Sequence, residues 1–296
     1  MYHQPVMLEE CVKGLITNKS GIYVDVTFGG GGHSKAILDV LSDDGRLYAF
    51  DTDPDALQNG IEDDRFTLIH SNYRYMSRFL KFHGVEKVDG VLADLGVSSY
   101  QLDNADKGFS LRYDAPLDMR MDKQGETAAD ILNTYDVKQL SEMWYVYGEI
   151  TNAGVLAKAI MQRRAEKPFE FTSELVGVAE GFAYGKRNKY MAQVFQALRI
   201  AVNEELASLG MMLDQLAGLI KSGGRLVVLS YHSLEDRPVK NMIKTGNIDG
   251  IINKDLYGNY SLPFKSLYKK PLLPQEAEII ENNRARSAKL RIAERI

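Results

Sequence analysis

The chain has 296 residues, 45% hydrophobic and 26% charged, which is typical of a globular protein with a sizeable core. At about 150 residues per domain, the length predicts two domains or one α/β domain with a large insertion. Cys11 is the single cysteine, which excludes an internal disulfide and a cysteine-based zinc cluster. No apolar run approaches the roughly 20 residues that span a bilayer, and the first residues lack the basic start of a signal peptide. We expect a cytoplasmic enzyme without a metal site.

The charge of the chain is unevenly distributed. The net charge of −4 argues mildly against a nucleic-acid partner. Residues 158–199 and 265–296, however, each contain eight Lys or Arg against four Glu, so the remainder carries −12. Two basic regions on an acidic protein are suited to local contact with a polyanion. The charge therefore does not exclude RNA.

Strand and helix patterns alternate over residues 21–96, as in βαβ units. Strands are predicted over 22–28, 46–50, 65–69 and 88–93, with Asp51 closing the second and Asp94 the fourth. A helix with Ile37, Leu38 and Leu41 on one face follows the first strand. Asp53 and Pro54 are predicted to begin another helix, as N-cap and first helical residue.

From about residue 104 the pattern becomes helical, until a buried strand over 225–231. Apolar residues recur at helical spacing between these points, for example at Phe195, Leu198, Val202, Leu206 and Leu209. We therefore predict one α/β domain made of 1–104 and 200–296, interrupted by an all-helical insertion of 105–199.

A run of four glycines, Gly29–Gly32, joins the first strand to its helix. Glycines there let a ligand approach the backbone, and the helix start offers free N–H groups. Asp51 lies twenty residues after Gly31, where a carboxylate can accept both hydroxyls of a ribose. A tight turn with an N-cap is the alternative, and it explains Asp53 but not Asp51. The pattern predicts a nucleotide-like ligand.

The glycine run matches neither common phosphate-binding motif. The Gly-Lys-Ser/Thr end of a P-loop is missing, and Ser34 occupies the last glycine position of a dinucleotide fingerprint. A ligand with an adenosine and an amino-acid tail but no phosphate fits better, which favours S-adenosylmethionine and methyl transfer. Asp51 would then bind the ribose, the glycine run the tail, and the region near Tyr73 and Asp94 the adenine.

Several sequence blocks are distributed along essentially the whole chain, as His3–Val6, Thr27–Ser34, Asp94–Asp103, Gly108–Ser110, Pro116–Met121, Phe195–Ile200, His232–Arg237 and Arg284–Arg291. Together, and in this order, they resemble the RsmH (MraW) family of rRNA methyltransferases. The resemblance implies an α/β fold, namely a class I (Rossmann-like) S-adenosylmethionine-dependent methyltransferase sheet with an inserted all-helical domain for substrate recognition.

The resemblance also implies the reaction and its partners. The expected activity is methyl transfer to the exocyclic N4 of a cytidine in the decoding region of bacterial 16S rRNA. The partner is 16S rRNA within the small ribosomal subunit, with no membrane partner and with a homodimer as an alternative to the monomer. The implied cofactor contacts are Gly31, Gly32, His33, Asp51, Tyr73, Asp94 and Gln101.

The sequence departs from the family pattern outside the cofactor loop. Lys107 replaces an Arg, Ile150 a Glu, and Asn283 a Pro, while Lys189–Ala192 replaces a His-Pro-Ala-Thr-like run. These departures concern the insertion and the substrate contacts.

Residues that contact the acceptor amine are harder to identify, because the Asp/Asn-Pro-Pro-Tyr/Phe tetrad of many amino-methyltransferases is replaced by Asp94-Leu95-Gly96-Val97. Loop residues near the strand ends are the candidates, namely Asp118, Arg120, Ser230 and His232. Structural roles compete with this assignment, as an internal Asp118–Arg120 ion pair and a helix cap at His232. Arg199 and Asn203 are expected to be polar residues at the edge of a core.

Two further features bear on the substrate. Methylation at cytosine C5 needs a cysteine nucleophile, and Cys11 lies far along the chain from the strand ends, which favours N- or O-methylation. The basic residues 284–291 predict either a solvated helix face or an RNA phosphate contact. The alternatives to an rRNA methyltransferase are a methyltransferase that acts on a protein or small molecule, and an RNA-binding assembly factor without turnover.

Overall fold

The computed structural model describes residues 5–296, apart from the side chain of Ser99; His3 and Gln4 of the first sequence block lie outside this range. The described residues up to Gly96 form one compact unit together with Leu206–Ile296, and Val97–Glu205 form a second. The sequence places these boundaries at 104/105 and 199/200, and the substrate-recognition role of the helical part stays a prediction. No helix within residues 5–296 is long and apolar enough to cross a membrane.

The first unit is built on a mixed β-sheet. Its strands are β1 (Ile22–Asp25), β2 (Arg46–Asp51), β3 (Phe66–His70), β4 (Val88–Asp94), β5 (Ile220–Ser230), β6 (Phe264–Ser266) and β7 (Lys289–Arg295). The strand order is β3-β2-β1-β4-β5-β7-β6. The pairs among β1 to β5 are parallel, whereas β7 is antiparallel to both of its neighbours. This arrangement confirms the predicted α/β class I methyltransferase fold.

The described residues also form α-helices in both units. They are α1 (Leu8–Leu15), α2 (Gly32–Val40), α3 (Met76–Phe82), α4 (Ser99–Asp103), α5 (Ala128–Thr134), α6 (Val137–Gly148), α7 (Ala153–Glu166), α8 (Thr172–Ala179), α9 (Arg187–Asn203), α10 (Glu205–Leu219) and α11 (Ser233–Thr245), followed by α12 (Glu276–Glu281).

The sheet of the first unit is covered on both faces. Along β5, Leu226 and Val228 belong to one apolar cluster, with side chains of α3, α10 and α11. Val227 and Leu229 belong to a second cluster, with side chains of α1 and α2. This alternation follows from the two-residue period of a strand. Because both faces are buried there, residues 226–229 of β5 are all apolar, as the sequence predicts for this strand.

The second unit is helical, and no strand is assigned within Val97–Glu205. Its core contains Trp144 and Leu140 from α6, Leu156 and Ile160 from α7, and Phe195 from α9. Trp144 is completely buried. Burial of such side chains stabilises the unit by roughly 1.5–3 kcal/mol each.

The prediction that an α-helix begins at Asp53 and Pro54 is wrong. The segment instead forms a short 3-10 turn over Ala56–Asn59. The Asp53 carboxylate accepts a hydrogen bond from the backbone N–H of Asp55 at 3.0 Å. Such a local side-chain bond offers the backbone an alternative to helix.

The prediction of a solvated helix face for the basic residues 284–291 is also wrong. Residues Asn283–Ser287 form a 3-10 turn, and β7 follows it. In β7, Leu290 and Ile292 are buried, while Arg291 donates to the Asp236 carboxylate at 2.6 Å. Pairing with β5, which is distant in sequence, determines this structure.

Candidate functional site

Three acidic residues lie at the carboxyl ends of neighbouring strands of the sheet. Asp25, Asp51 and Asp94 are the last residues of β1, β2 and β4, and β1 pairs in parallel with both of the other strands. Their backbones therefore end at one edge of the sheet, where its strand order reverses. Ligands of open α/β sheets bind at this kind of edge.

Asp25 organises the glycine turn, and it is absent from the predicted site. Its Oδ2 accepts a hydrogen bond from the Ser34 hydroxyl at 2.7 Å, and its Oδ1 accepts from the backbone N–H of Thr27 at 3.1 Å. Burial raises the pKa of this carboxyl group. The signal that could have identified Asp25 is its position, because it ends β1 as Asp51 ends β2.

The glycine turn itself is held by close contacts. Gly31 is the N-cap of α2 with a φ of 76°, a left-handed conformation that favours glycine. A Cβ atom on Gly32 would lie 2.2 Å from Cγ of Pro5. Gly32 is therefore required by the close approach of the N-terminal segment.

The Asp51 carboxylate receives one backbone hydrogen bond on each oxygen. Oδ2 accepts from the N–H of Gly29 at 2.7 Å, and Oδ1 accepts from the N–H of Asp53 at 2.8 Å. Burial raises the pKa of Asp51 to about 6, against the lowering effect of these two hydrogen bonds. Asp51 thus reaches the edge of the glycine turn and is fixed in orientation.

Asp94 connects the ends of β4 and β5. Its Oδ1 accepts a hydrogen bond from the Tyr231 hydroxyl at 2.7 Å, and its Oδ2 lies 3.7 Å from Nδ1 of His33. The other ring nitrogen of His33 is 3.1 Å from the carbonyl oxygen of Val6. Burial raises the pKa of both Asp94 and Tyr231. Tyr231, which the sequence-based assignment misses, is a direct partner of a predicted site residue.

Tyr73 and Gln101 occupy different units. Tyr73 begins a 3-10 turn after β3 and is partly buried against the cluster that contains Met76. Gln101 belongs to the second unit, where its side chain accepts from the backbone N–H of Ser98 at 3.0 Å in a capping box of α4. The structure therefore brings six of the predicted cofactor residues into the first unit and gives Gln101 a helix-capping contact.

The substrate candidates Asp118 and Arg120 form the ion pair considered as the structural alternative. The Arg120 guanidinium donates to both carboxylate oxygens, at 2.8 and 2.9 Å. Burial raises the pKa of Asp118, but the hydrogen bonds from the Arg120 side chain and backbone outweigh it, so the pKa is lowered. Asp118 is therefore an anion in a fixed orientation.

The candidates Ser230 and His232 lie on either side of Tyr231. Ser230 is buried, and its hydroxyl is 3.5 Å from the carbonyl oxygen of Lys289. His232 is the N-cap of α11, as the structural alternative predicts, and its Nε2 lies 3.1 Å from Oε1 of Glu235.

Arg199 and Asn203 make contacts within the second unit. Arg199 is paired with Glu205 at 2.7 Å. Asn203 accepts from the backbone N–H of Met121 and donates to the carbonyl of Met119, both at 2.8 Å. These contacts hold the segment that follows Asp118 against α9.

Comparisons with known proteins show which proteins this chain is similar to. The profile of the MraW methylase family matches residues 1–296. The chain is 55% identical to "Ribosomal RNA small subunit methyltransferase H" of Cytophaga hutchinsonii, over 100% of both chains. It is 52% identical to the protein of that name from Amoebophilus asiaticus, over 99% of this chain and 96% of the relative. A solved rRNA methylase from Streptococcus thermophilus has a TM-score of 0.40 and 12% identity, with 98% of this chain and 93% of that chain covered. Because the profile and the relatives span its full length, this chain belongs to the MraW methylase family.

Proposed function

We propose that this protein transfers a methyl group from S-adenosylmethionine to the exocyclic N4 of a cytidine in the decoding region of bacterial 16S rRNA. Its membership of a methylase family supports methyl transfer, and the names of its relatives support the small-subunit rRNA as substrate. The observation that carries the cofactor assignment is the set of strand-terminal carboxylates beside the glycine turn.

The chemistry of Asp51 fits the ribose of this cofactor. An ionised carboxylate has about four lone-pair sites, and the two backbone N–H groups occupy one site on each oxygen. Each oxygen therefore retains a site for one of two neighbouring hydroxyl groups. When bound, S-adenosylmethionine supplies an electrophilic methyl group on a positively charged sulfur.

The other cofactor contacts follow from the residues around Asp51. Gly31 is the N-cap of α2, and Gly32 and His33 are its first residues; all three are assigned to the amino-acid tail. Tyr73 offers an aromatic face for adenine, and Asp94 and Gln101 complete the set. We assign Tyr231 a positioning role, because its hydroxyl fixes one oxygen of Asp94.

The acceptor chemistry depends mainly on positioning. A cytosine amine is a poor nucleophile because its lone pair is delocalised into the ring, so it must be held in line with the methyl group. The sulfur loses its positive charge as the methyl group moves, so strong anionic stabilisation beside it would favour the ground state. The protein therefore needs residues that orient the amine more than it needs a strong base.

We propose Asp118 and His232 as residues that contact the acceptor. Arg120 is then a positioning residue, because it orients the Asp118 carboxylate. Ser230 is assigned a positioning role at the end of β5, where its hydroxyl lies near the carbonyl oxygen of Lys289. Replacement of either Asp118 or His232 by Ala should reduce methylation of small subunits while cofactor binding stays intact. Unchanged methylation would remove that residue from the proposal.

Cys11 argues against methylation at carbon. C5 chemistry needs a thiolate that attacks the ring, as in other activated-cysteine mechanisms. Cys11 is completely buried, and this burial raises the pKa of its thiol well above the ordinary value. Cys11 is therefore unsuited as a nucleophile, which favours the amine.

The RNA itself would present the target as an unstacked base. Enzymes that modify a base extrude it into a pocket, and we propose that the helical unit forms part of the substrate-recognition surface. Exposed lysines of the basic regions 158–199 and 265–296, such as Lys189 and Lys269, are suited to phosphate contacts. A cytoplasmic location follows from this substrate.

The test is methyl transfer to a defined nucleotide. Small subunits from a strain that lacks the gene are incubated with the protein and methyl-labelled cofactor, and the product is mapped by nuclease digestion and mass spectrometry. We expect one N4-methylcytidine in the decoding region, and none with Asp51→Ala. Label in protein or in a small molecule, or RNA binding without transfer, would refute the proposal in favour of another methyltransferase or of an assembly factor.

A further inference from the structure

An open groove of 490 Å³ lies on the first unit beside α3. It is lined by Ser71, Tyr75, Arg78, Phe79 and Phe82. The last four recur at helical spacing and therefore share one face of the segment. The Phe79 ring contacts Phe50 edge-on, with 6.3 Å between centroids, so this side chain anchors the groove to the sheet core.

Two of the aromatic side chains that line the groove face solvent. Tyr75 is 46% exposed and Phe82 is 85% exposed. Scattered exposed apolar residues are normal, whereas exposed aromatic rings that line one groove make it a candidate interaction site. Burial of these rings against a partner would remove apolar surface from water.

The same segment is basic. Residues 65–85 contain no Asp or Glu, whereas the body outside the two basic regions carries a net charge of −12. Arg74 is engaged within the unit, because it donates to the Ser208 hydroxyl at 2.6 Å. Arg78 and Lys81 are exposed, and neither makes an ion pair with a carboxylate of the described residues. The groove thus combines aromatic rings with unneutralised positive charge.

We infer that this groove binds an unpaired nucleotide of the RNA substrate, with a base stacked on Tyr75 and Phe82 and a backbone phosphate on Arg78. Proteins that bind single-stranded nucleic acid combine these two elements, because every base has a stacking face and every nucleotide carries a phosphate. The positive charge favours an anionic partner over an apolar peptide. The inference rests on the proposed function, since it takes RNA to be the substrate.

The experiment measures binding of a short fluorescein-labelled single-stranded RNA by fluorescence anisotropy over a range of salt concentrations. Tyr75→Ala and Phe82→Ala should each weaken binding about tenfold at constant salt, through lost stacking. Arg78→Gln should lower the slope of log affinity against log salt by about 0.7, the value for one phosphate of a single strand. Arg78→Lys should retain the slope, because it keeps the charge.

Two controls separate the groove from other causes. Tyr257→Ala removes an aromatic ring that is 90% exposed outside the groove, and it should leave RNA binding unchanged. Cofactor binding by calorimetry should be the same in all variants. A changed cofactor affinity would instead assign the groove to the cofactor, and this would overturn the inference.

The binding measurement does not depend on catalysis. If the native protein methylates small subunits but Tyr75→Ala, Phe82→Ala and Arg78→Gln bind RNA normally, the inference fails and the proposed function stands. If the native protein transfers no methyl group but the variants show the predicted losses, the proposed function fails and the groove remains an RNA site. A concentration-dependent mass that Phe82→Ala abolishes, with RNA binding intact, would identify a second copy as the occupant and would also refute the inference.

Discussion

Replacement of Asp51 by Asn tests the cofactor site most directly. The carboxylate accepts backbone hydrogen bonds from Gly29 and Asp53 on different oxygens. An amide of the same shape has one acceptor oxygen and one NH₂ group, so it can satisfy only one of these donors. It also loses the charge that strengthens hydrogen bonds to the ribose. With charge-assisted bonds at about 1.5–3 kcal/mol each, we expect Asp51→Asn to weaken S-adenosylmethionine binding by roughly 100-fold.

The raised pKa of Asp51 gives this prediction a pH dependence. Calorimetric titration of the native protein should show the affinity falling by about tenfold per pH unit below the Asp51 pKa of about 6, because protons compete with the ligand for the carboxylate. Asp51→Asn should show no such fall between about pH 5 and 7. Asp63→Asn is the matched control, because the pKa of Asp63 is lowered to about 2 by the hydrogen bonds from Arg65, so this group does not titrate in the same range.

The stability of the ligand-free protein should fall as the pH rises, whereas the affinity for the cofactor should increase. Because the folded-state pKa of Asp51 lies above its ordinary value of 3.8, the folded state keeps a proton that the unfolded state releases. Its contribution to stability therefore falls as the pH rises from 3.8 to about 6, by at most about 3 kcal/mol. Asp51→Asn should be less destabilising at pH 8 than at pH 4. A pH-independent affinity of the native protein, or native affinity in Asp51→Asn, would refute this reasoning.

Three further substitutions test the contacts that support the site and the two units. Tyr231→Phe removes the donor to Asp94, and it should lower the free energy of unfolding in urea by about 1–3 kcal/mol; equal stability would contradict the role of this bond. Trp144→Ala should cost about 3–5 kcal/mol through a cavity in the helical core, followed by circular dichroism because Trp144 is the only tryptophan. Arg291→Met should destabilise the protein at pH 7 but much less at pH 3, because Arg291 lowers the pKa of Asp236 against the effect of burial, and this contribution is lost once Asp236 is protonated. A loss of equal size at both pH values would point to packing instead of charge.

The parallel part of the sheet was predictable because its signals are local. Apolar strands that end in Asp51 and Asp94 are visible in short windows of sequence, and the glycines between the first strand and its helix predict a ligand site at this edge. The same logic applies to Asp25, whose place at the end of β1 is as informative. The sequence alone did not identify Asp25 as a site residue, because Asp is also common in turns.

The remaining contacts depend on residues that are distant in sequence. The segment with Leu290 and Ile292 alternates in the manner of a strand, but its charged residues suggest a solvated surface until β5 and Asp236 provide partners. The partnership of Tyr231 with Asp94 likewise arises only when β4 and β5 pair. No local pattern specifies which hydroxyl reaches which carboxylate, so these contacts require the structure.

The position of β7 has a consequence for biosynthesis. This strand lies between β5 and β6, so β6 has no partner in the sheet until residues 289–295 have left the ribosome. The helical unit, Val97–Glu205, is translated much earlier and contains its own apolar core. Since domains fold as units during synthesis, the helical unit can form first. Until β7 is available, the edge of β5 that pairs with β7 remains unpaired. An unpaired edge is a site for wrong association, so synthesis that stalls shortly before Lys289 would release a chain with one folded unit and one aggregation-prone sheet.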